Sequence, residues 1–559
     1  MSKRYSIHPA IGIARLGSSD GLVPDINFFY EPEIPGVTPV PLDGSYRDAA
    51  GFLRRQAARF RVYEHDDAAG TAPNEVTVGG DVASIRWTVH LANKKAFWFE
   101  FDGLKGESGY GTDHPFRNGN GLPLDERRRR FIIDPGPRTM DAPNQVKEFR
   151  KGSSQGYPGT WPGPLTNGQA LQIETLGALL TDAEGRLTVV GGLGRSGTTA
   201  QVGPGPTDFA NNPNWFDDTS DGPITATVVL SDGTEIEAGP AWVIVGPPDF
   251  APGIENIVSL YDLLYDLGVR KFGLEPHLFA NGDFAGDYRP SFTAEIYPIL
   301  RRAIEFAGVN SSAARHRGFA SPAAIAALAA KPFVAQPGLL LLPSPADVFQ
   351  RLRPPESWRS DPTKDGLMPR LFGDGGTRTA LTLTRTQFHI LRQWSLGRFV
   401  ADWDGPPVTA DTVTPEGLDR AALEACVGGA FFPGIEASWI MRRPNIYARP
   451  FNFRFKPKVD DEFDLDGLTP GSVTMRSALP WQADFLQCDA AWWPAQRPNQ
   501  VRAAQHPAED WKEGITSEVE MVRFWDKLGI VRRDDTGAFV ETQRLLPRAD
   551  ISRVAEAGQ

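Results

Sequence analysis

The stretch "ITATVVLSDGTEIEAGPAWVIVGPP", Ile224 to Pro248, decides the reading of the fold. Two apolar, β-branched arms flank Asp232-Gly233, a dipeptide that tolerates the positive φ angles of a tight hairpin turn. Pro247 and Pro248 then end the second arm, because proline has no N–H to give to a ladder. Toward the N-terminus, "FRVYEH" (Phe60 to His65) and "SIRWTVHLA" (Ser84 to Ala92) alternate in the same way, and "GRLTVVGGLG" follows a turn at Glu184-Gly185. Residues 1–250 are therefore expected to form a β-rich half.

Beyond the hairpin the period changes. "IENIVSLYDLLYDLG" puts Ile257, Leu260, Leu263 and Leu264 on one helical face and is expected to close at Gly268. "SFTAEIYPILRRAIEFAG" and "SPAAIAALAA" continue the helical pattern, the latter with Ser321 as N-cap and Pro322 just inside. The proline-rich "GLLLLPSPADVFQRLRPPESWRSDPTKDG" links this middle to the last third. There "TRTQFHILRQWSLGRF" reads as an amphipathic helix ending near Gly397, and "SEVEMVRFWDKLG" as one capped by Ser517 with Glu520 three residues on. On that second helix Met521, Trp525 and Leu528 line one face, and Gly529 closes it. The expected class is α+β: a β-rich N-terminal half (1–250), a mainly helical middle (251–370), and a mixed helix and loop C-terminal part (371–559) that carries the active site.

Composition narrows the function classes. A chain of 559 residues is too long for one ordinary core, and 57 glycines with 48 prolines point to many turns and ordered loops. The formal charge of −11 disfavours nucleic acid, whose affinity rests on cations facing phosphates. The local run "DERRRRF" (Asp125 to Phe131) reads as a solvated turn. Two cysteines make no disulfide framework, and nothing requires Cys426 and Cys488 to pair. The N-terminus has no sustained apolar stretch, and no window approaches the ~18 apolar residues of a membrane span. A reducing, cytoplasmic home is the default expectation, with export by an unmarked route as the alternative.

Familiar sites are missing. There is no phosphate loop, no G-x-G-x-x-G between strand and helix, and no G-x-S-x-G elbow; the loose G-x-G in "VGGLGRSG" reads as coincidence. The eight histidines lack the close spacing of a metal site, so no metal is expected, and His8 reads as structural. The acidic stretches "NWFDDTSDG" and "DDEFDLDG" lack calcium-loop spacing and read as turns held by Asx-type hydrogen bonds.

What stands out is "WQADFLQCDAAWWPAQRPNQ", Trp481 to Gln500. Five of the fourteen tryptophans fall between Trp481 and Trp525, around one of only two cysteines. Asp484 precedes Cys488 by four residues, a spacing that shares a face in a helix or a strand. A carboxyl enclosed by indoles and a sulfur is expected to titrate upward, which suits a general base near neutral pH. The alternative reading of the same residues is a buried thiol in an aromatic core.

The chain resembles the tryptophylquinone amino-acid oxidases, the family of L-lysine epsilon-oxidase and glycine oxidase. The likeness runs nearly end to end, through "IHPAIGIARLG" (Ile7 to Gly17), "RRQAARFRVY" (Arg54 to Tyr63), "VHLANKKAFW" (Val89 to Trp98), "FANNPNWFDDTSDGPI" (Phe209 to Ile224), "AWVIVGPPDFAP" (Ala241 to Pro252), "GGAFFPGIEASW" (Gly428 to Trp439) and, most specifically, "PWQADFLQCDAAWWPAQRP". The resemblance implies a protein-derived cofactor, cysteine tryptophylquinone, in which a cysteine sulfur joins a tryptophan carrying two added oxygens. Cys488 matches the cysteine. Asp484 matches the aspartate that serves quinone formation and later proton transfer. The tryptophan partner lies downstream, at Trp511 or Trp525; Trp511 is slightly favoured because Trp525 already has a place on the apolar face of its helix. Cys426 resembles a second pocket cysteine, Phe209 or Phe216 a pocket aromatic, and Arg502 a pocket cation. The implied reaction is oxidation of an amino acid or other primary amine by dioxygen, with ammonia and hydrogen peroxide as products. The implied partners are a separate flavoprotein that installs the oxygens and, as is general for soluble enzymes, further copies of the chain in a homo-oligomer. A cofactor-free, non-catalytic member is the reading from another class, and an unmodified Cys488 would mark it.

Overall fold

The computed structural model describes residues 3–541 except 67–69, 102–113, 166–171, 201–204, 254, 306–318, 320, 334–341, 358–365, 374–375, 408, 429–437, 457–466, 488–497, 499, 503–510, 534 and 538, and among the rest the side chains of 372–379, 438–439, 487, 500, 502, 511–513, 532–533 and 539–540 are not described.

Thirteen strands form one large sheet. Its spine runs Arg138–Met140, Val82–Val89, Ser220–Leu230, Ala241–Gly246, Ile11–Arg15, Arg55–His65, Leu187–Gly191, Thr175–Thr181, Val146–Arg150. Neighbours are antiparallel except at the centre, where Ala241–Gly246 lies parallel to Ile11–Arg15 with Trp242 opposite Ile11. The two edge strands follow one another in sequence, and Lys147 Nζ donates to Thr139 O at 2.5 Å across them. That side-chain bond brings the two edges near one another, with no ladder pairing between them among the described residues.

The hairpin turns at Asp232-Gly233, with Gly233 at φ +86°. Its return arm is interrupted. Glu235–Glu237 pairs with Thr227–Val229, and only after Ala238, Gly239 and Pro240 does Ala241–Gly246 rejoin the same long strand, with Trp242 opposite Pro223.

The central strands are buried on both faces, as strands covered on two sides must be. Ile11, Ile13, Trp242 and Ile244 point to one side, where Leu260, Leu263, Leu264 and Leu267 of the Leu260–Phe272 helix cover them. Each such leucine is worth about 1.5–3 kcal/mol relative to exposure. Ala14, Val243 and Val245 point to the other side, into the main core. That core also takes Leu479, Trp481, Phe485, Met521, Trp525 and Leu528 from the far end of the chain.

Local capping follows the sequence closely. Ser321, Thr384 and Ser517 each accept from the N3 backbone N–H of the helices Pro322–Ala329, Arg385–Ser395 and Glu518–Phe524. Some expectations change. The helix capped by Ser517 stops at Phe524, Trp525–Lys527 is a 3-10 turn, and Leu528-Gly529 is a strand, so Gly529 does not close the helix. The Leu260–Phe272 helix runs through Gly268 and ends at Gly273, which has the left-handed φ of +66°. Gly268 serves packing instead: a β-carbon there would meet Leu274 at 3.0 Å and Pro450 at 3.5 Å. The "DERRRRF" run is the helix Leu124–Phe131, not a solvated turn. Its Arg127 is buried over the Phe116 ring at 4.2 Å and donates to Asn118 O and Phe97 O.

Among the described residues no helix is long and apolar enough to cross a membrane, and no cluster of three or more His, Cys, Asp or Glu could hold a metal ion.

Candidate active site

The helix Trp481–Gln487 carries Asp484 and ends one residue before Cys488, which itself lies outside the described residues. The helix is sunk in the protein: Trp481 and Gln482 are fully buried and Asp484 is 1% exposed.

Three buried contacts with distant parts of the chain fix its first turn. Asp217 Oδ2 accepts the backbone N–H of Trp481 at 3.0 Å. Ser196 Oγ donates to Gln482 Oε1 at 2.5 Å, and Gln482 Nε2 donates to Gly194 O at 2.9 Å. Asp217 is itself clamped: Lys95 Nζ donates to Oδ2 at 2.8 Å, while Asn93 Nδ2 and Thr219 Oγ1 donate to Oδ1 at 3.0 and 2.8 Å. Burial pushes the Lys95 ammonium below its usual range, and the Asp217 charge opposes that. The approach to the helix is anchored in the same manner. Asp221 accepts from Val473 N, Thr474 N and Thr474 Oγ1, and also from the Trp242 indole. Arg117 donates to Met475 O and Ser477 O, and Asn212 Nδ2 to Leu479 O.

Aromatic rings close round the helix. Trp481 meets Trp525 edge to face at 5.2 Å and Phe485 at 5.7 Å, and Phe485 stacks on Phe250. Trp525 begins a short 3-10 turn, Trp525–Lys527, after the Glu518–Phe524 helix. Its six-membered ring fits against Gly194, φ +70°. A β-carbon there would lie 2.6 Å from Cη2 and closer still to Cζ2. The "VGGLGRSG" loop read as coincidence thus makes room for an indole.

The remaining sequence candidates lie on other elements. Trp511 opens the strand Trp511–Glu513 and pairs in register with Arg502 of Gln500–Arg502; neither side chain is among those described. Gln500–Arg502 also pairs with Leu528-Gly529, so this small sheet continues directly from the Trp525 turn. Phe216 is buried in the main core on the strand that leads into Asp217, whereas Phe209 packs edge to face on Phe101. Cys426 is 1% exposed; Arg15 Nη2 donates to its sulfur at 3.4 Å and to Ala425 O. Arg15 and Lys95 share a cavity of about 20 Å³ with Thr219, Thr474 and Ser477. That suits about one water and no amino acid. Cys426 packs with Ile11, Trp242 and Leu260, on the face of the central sheet away from the core that takes Trp481 and Phe485.

Sequence reading missed Lys95, Asp217, Gln482 and Arg15 as the residues that hold the site. "NWFDDTSDG" was the signal. Asp217, Asp218 and Asp221 are all 1% exposed or less, so this acidic stretch is a set of buried anchors as well as a turn. His8, read as structural, donates from Nδ1 to Asp419 Oδ1 (2.9 Å) and shares a hydrogen bond from Nε2 with Ser6 Oγ (3.0 Å), tying the first strand to the Pro415–Glu424 helix.

Asp218 gives a pH prediction. Burial, with Asp217 adding to it, raises its carboxyl to about 7, against an opposing N–H from Arg195. A raised folded-state value means stability that is full below the unfolded value of 3.8 and is lost as pH climbs through about 7. The loss is of the order of 4 kcal/mol at 1.36 kcal/mol per pH unit. Asp218→Asn is expected to unfold at higher urea than the parent at pH 8, with the gap closing by pH 4; an equal gap at both would remove this account.

Comparison with known proteins follows the geometry. Residues 8–245 match "L-Lysine epsilon oxidase N-terminal" and residues 368–512 match "L-lysine epsilon oxidase C-terminal domain". The L-lysine 6-oxidase of Marinomonas mediterranea is 33% identical over 89% of this chain and 73% of its own length. The solved structure of the Schiff base intermediate of L-Lys epsilon-oxidase from M. mediterranea with L-Lys superposes with a TM-score of 0.74, at 28% identity, over 97% of this chain and 95% of that one. A further crystal structure of that oxidase gives a TM-score of 0.75 over 97% and 94%. With both halves matched and its fold shared across nearly its whole length, the chain belongs to the L-lysine epsilon-oxidase family.

Proposed function

We propose that this chain is an amino-acid oxidase that works through a cysteine tryptophylquinone formed from Cys488 and Trp511. In balance, an amine, dioxygen and water give a carbonyl product, ammonia and hydrogen peroxide: two electrons leave the carbon–nitrogen unit and reduce dioxygen. The observation that carries the reading is the buried helix that bears Asp484, is clamped by Asp217 and Gln482, and leads into Cys488.

The residues present fit such a group, and packing favours one tryptophan. The matured indole carries three new substituents, one sulfur and two oxygens, on a benzo ring with four free carbons. At least one of Cζ2 and Cη2 must therefore be substituted. On Trp525 both atoms lie over Gly194, so close that even a β-carbon there would clash, and that side of the ring is already packed. That argues for Trp525 as a wall of the site and for Trp511 as the partner of Cys488.

When formed, the group supplies an electrophilic carbonyl and a two-electron sink that no encoded side chain offers. The chain's own residues do the rest. Asp484 takes the proton from the carbon bearing nitrogen. Trp481, Phe485 and Trp525 exclude water. Asp217 and Lys95 hold the helix in place. Arg502, directly opposite Trp511 on the neighbouring strand, is the proposed cation for a substrate carboxylate. A separate flavoprotein adds the two oxygens, so expression without it is expected to yield a colourless precursor.

The test is intact mass with a peroxide assay. Chain matured in its native host should be about 28 Da heavier than the precursor, from two oxygens gained and four hydrogens lost. It should also release peroxide from at least one amino acid in a panel that includes lysine and glycine. The unmodified mass together with no peroxide would overturn the reading, and peroxide only from other primary amines would redirect it to them.

A further inference from the structure

Four tryptophans lie under 2% exposed: Trp87, Trp242, Trp394 and Trp481. Three donate their indole N–H in the usual way, Trp87 to Gly185 O at 2.8 Å, Trp242 to Asp221 Oδ2 at 3.0 Å and Trp394 to Leu328 O at 3.1 Å. Trp481 Nε1 is just as buried and has no acceptor among the described residues. Buried indole N–H groups normally find one, and an exception calls for a cause.

Poor packing is not the cause. The Trp481 ring is held between Trp525 and Phe485, and its backbone N–H is bound by Asp217 within the Lys95 clamp. Trp481 and Asp484 stand three residues apart on one helix, so both side chains fall on the same face. The orphaned donor is therefore on the side of the helix that carries the proposed base.

We propose that the indole N–H of Trp481 is a catalytic hydrogen-bond donor whose acceptor is made after translation: one of the two oxygens added to the tryptophan partner of Cys488. This rests on the cysteine tryptophylquinone reading above. A donor fixed in advance in a dry site stabilises an oxygen that gathers charge as electrons enter the ring, at no cost of reorganisation. In the precursor the same N–H has nothing to bind.

Trp481→Phe tests this in precursor and matured protein side by side. The expected result is a variant that gains about 28 Da, shows a displaced visible absorption band, and turns over about tenfold more slowly per matured site, the worth of one hydrogen bond to a charged group. Its drop in melting temperature should also be larger in the matured protein than in the precursor, since only the former loses a bond. An unchanged band with equal drops would overturn the proposal and leave water as the partner. If Trp481→Phe alone fails to mature, Trp481→His, which keeps a ring N–H, decides: recovery of the mass gain and band supports the donor, and no recovery overturns it. If the parent also lacks the mass gain, the quinone reading itself falls.

Discussion

Replacing Asp484 by asparagine is expected to cut turnover about 10²–10⁴-fold per matured site, the usual worth of a positioned general base, with KM changed far less. The two side chains have nearly the same shape, so the helix keeps its packing; only the capacity to take a proton is lost. Asp484 is 1% exposed, and its neighbours Trp481 and Phe485 leave bulk water no part as a substitute base. Intact mass must be read with the rate, because the family resemblance gives this aspartate a part in maturation as well. A variant stalled at the precursor mass would place the carboxylate in cofactor formation. A fully matured variant with parental turnover would remove Asp484 from the chemistry.

How much of this was legible in the sequence depended on how far each residue's partner lies along the chain. The turn at Asp232-Gly233 and the caps Ser321 and Ser517 were legible because each is decided within about four residues. Gly268 was misread as a cap because its lack of a side chain answers a tertiary need, the approach of Leu274 and Pro450. "ADFLQC" pointed through resemblance to the Trp481–Gln487 segment as the proposed site. Nothing local announced what holds it. Asp217 is 122 residues from Lys95 and 264 from Trp481, and Ser196 is 286 from Gln482. An aspartate in "NWFDDTSDG" looks the same on paper whether it faces water or a buried ammonium. Arg127 in "DERRRRF" shows the converse: a charge run read as solvated because the aromatic groove that receives its guanidinium was not visible.

Lys95→Met is expected to destabilise the fold by about 3–5 kcal/mol, because it leaves the Asp217 carboxylate buried without its counter-charge. Asp217 is 0% exposed and Lys95 1%, so water cannot step in for the missing ammonium. Asn93 and Thr219 still donate to Oδ1, and Trp481 N to Oδ2, but neutral donors do not balance a full charge in a low-dielectric interior. Adding Asp217→Asn to Lys95→Met removes the orphaned charge and is expected to recover part of the loss, so the two changes should be non-additive by 1 kcal/mol or more. Urea unfolding of the parent, both singles and the double closes the cycle. Strict additivity would mean that the two groups do not act as a pair. The clamp links stability to the proposed function because Asp217 binds the first N–H of the helix that carries Asp484. A chain that lost the ion pair should lose turnover before it loses the sheet, and the double variant, neutral but still able to accept from Trp481, should regain more stability than activity.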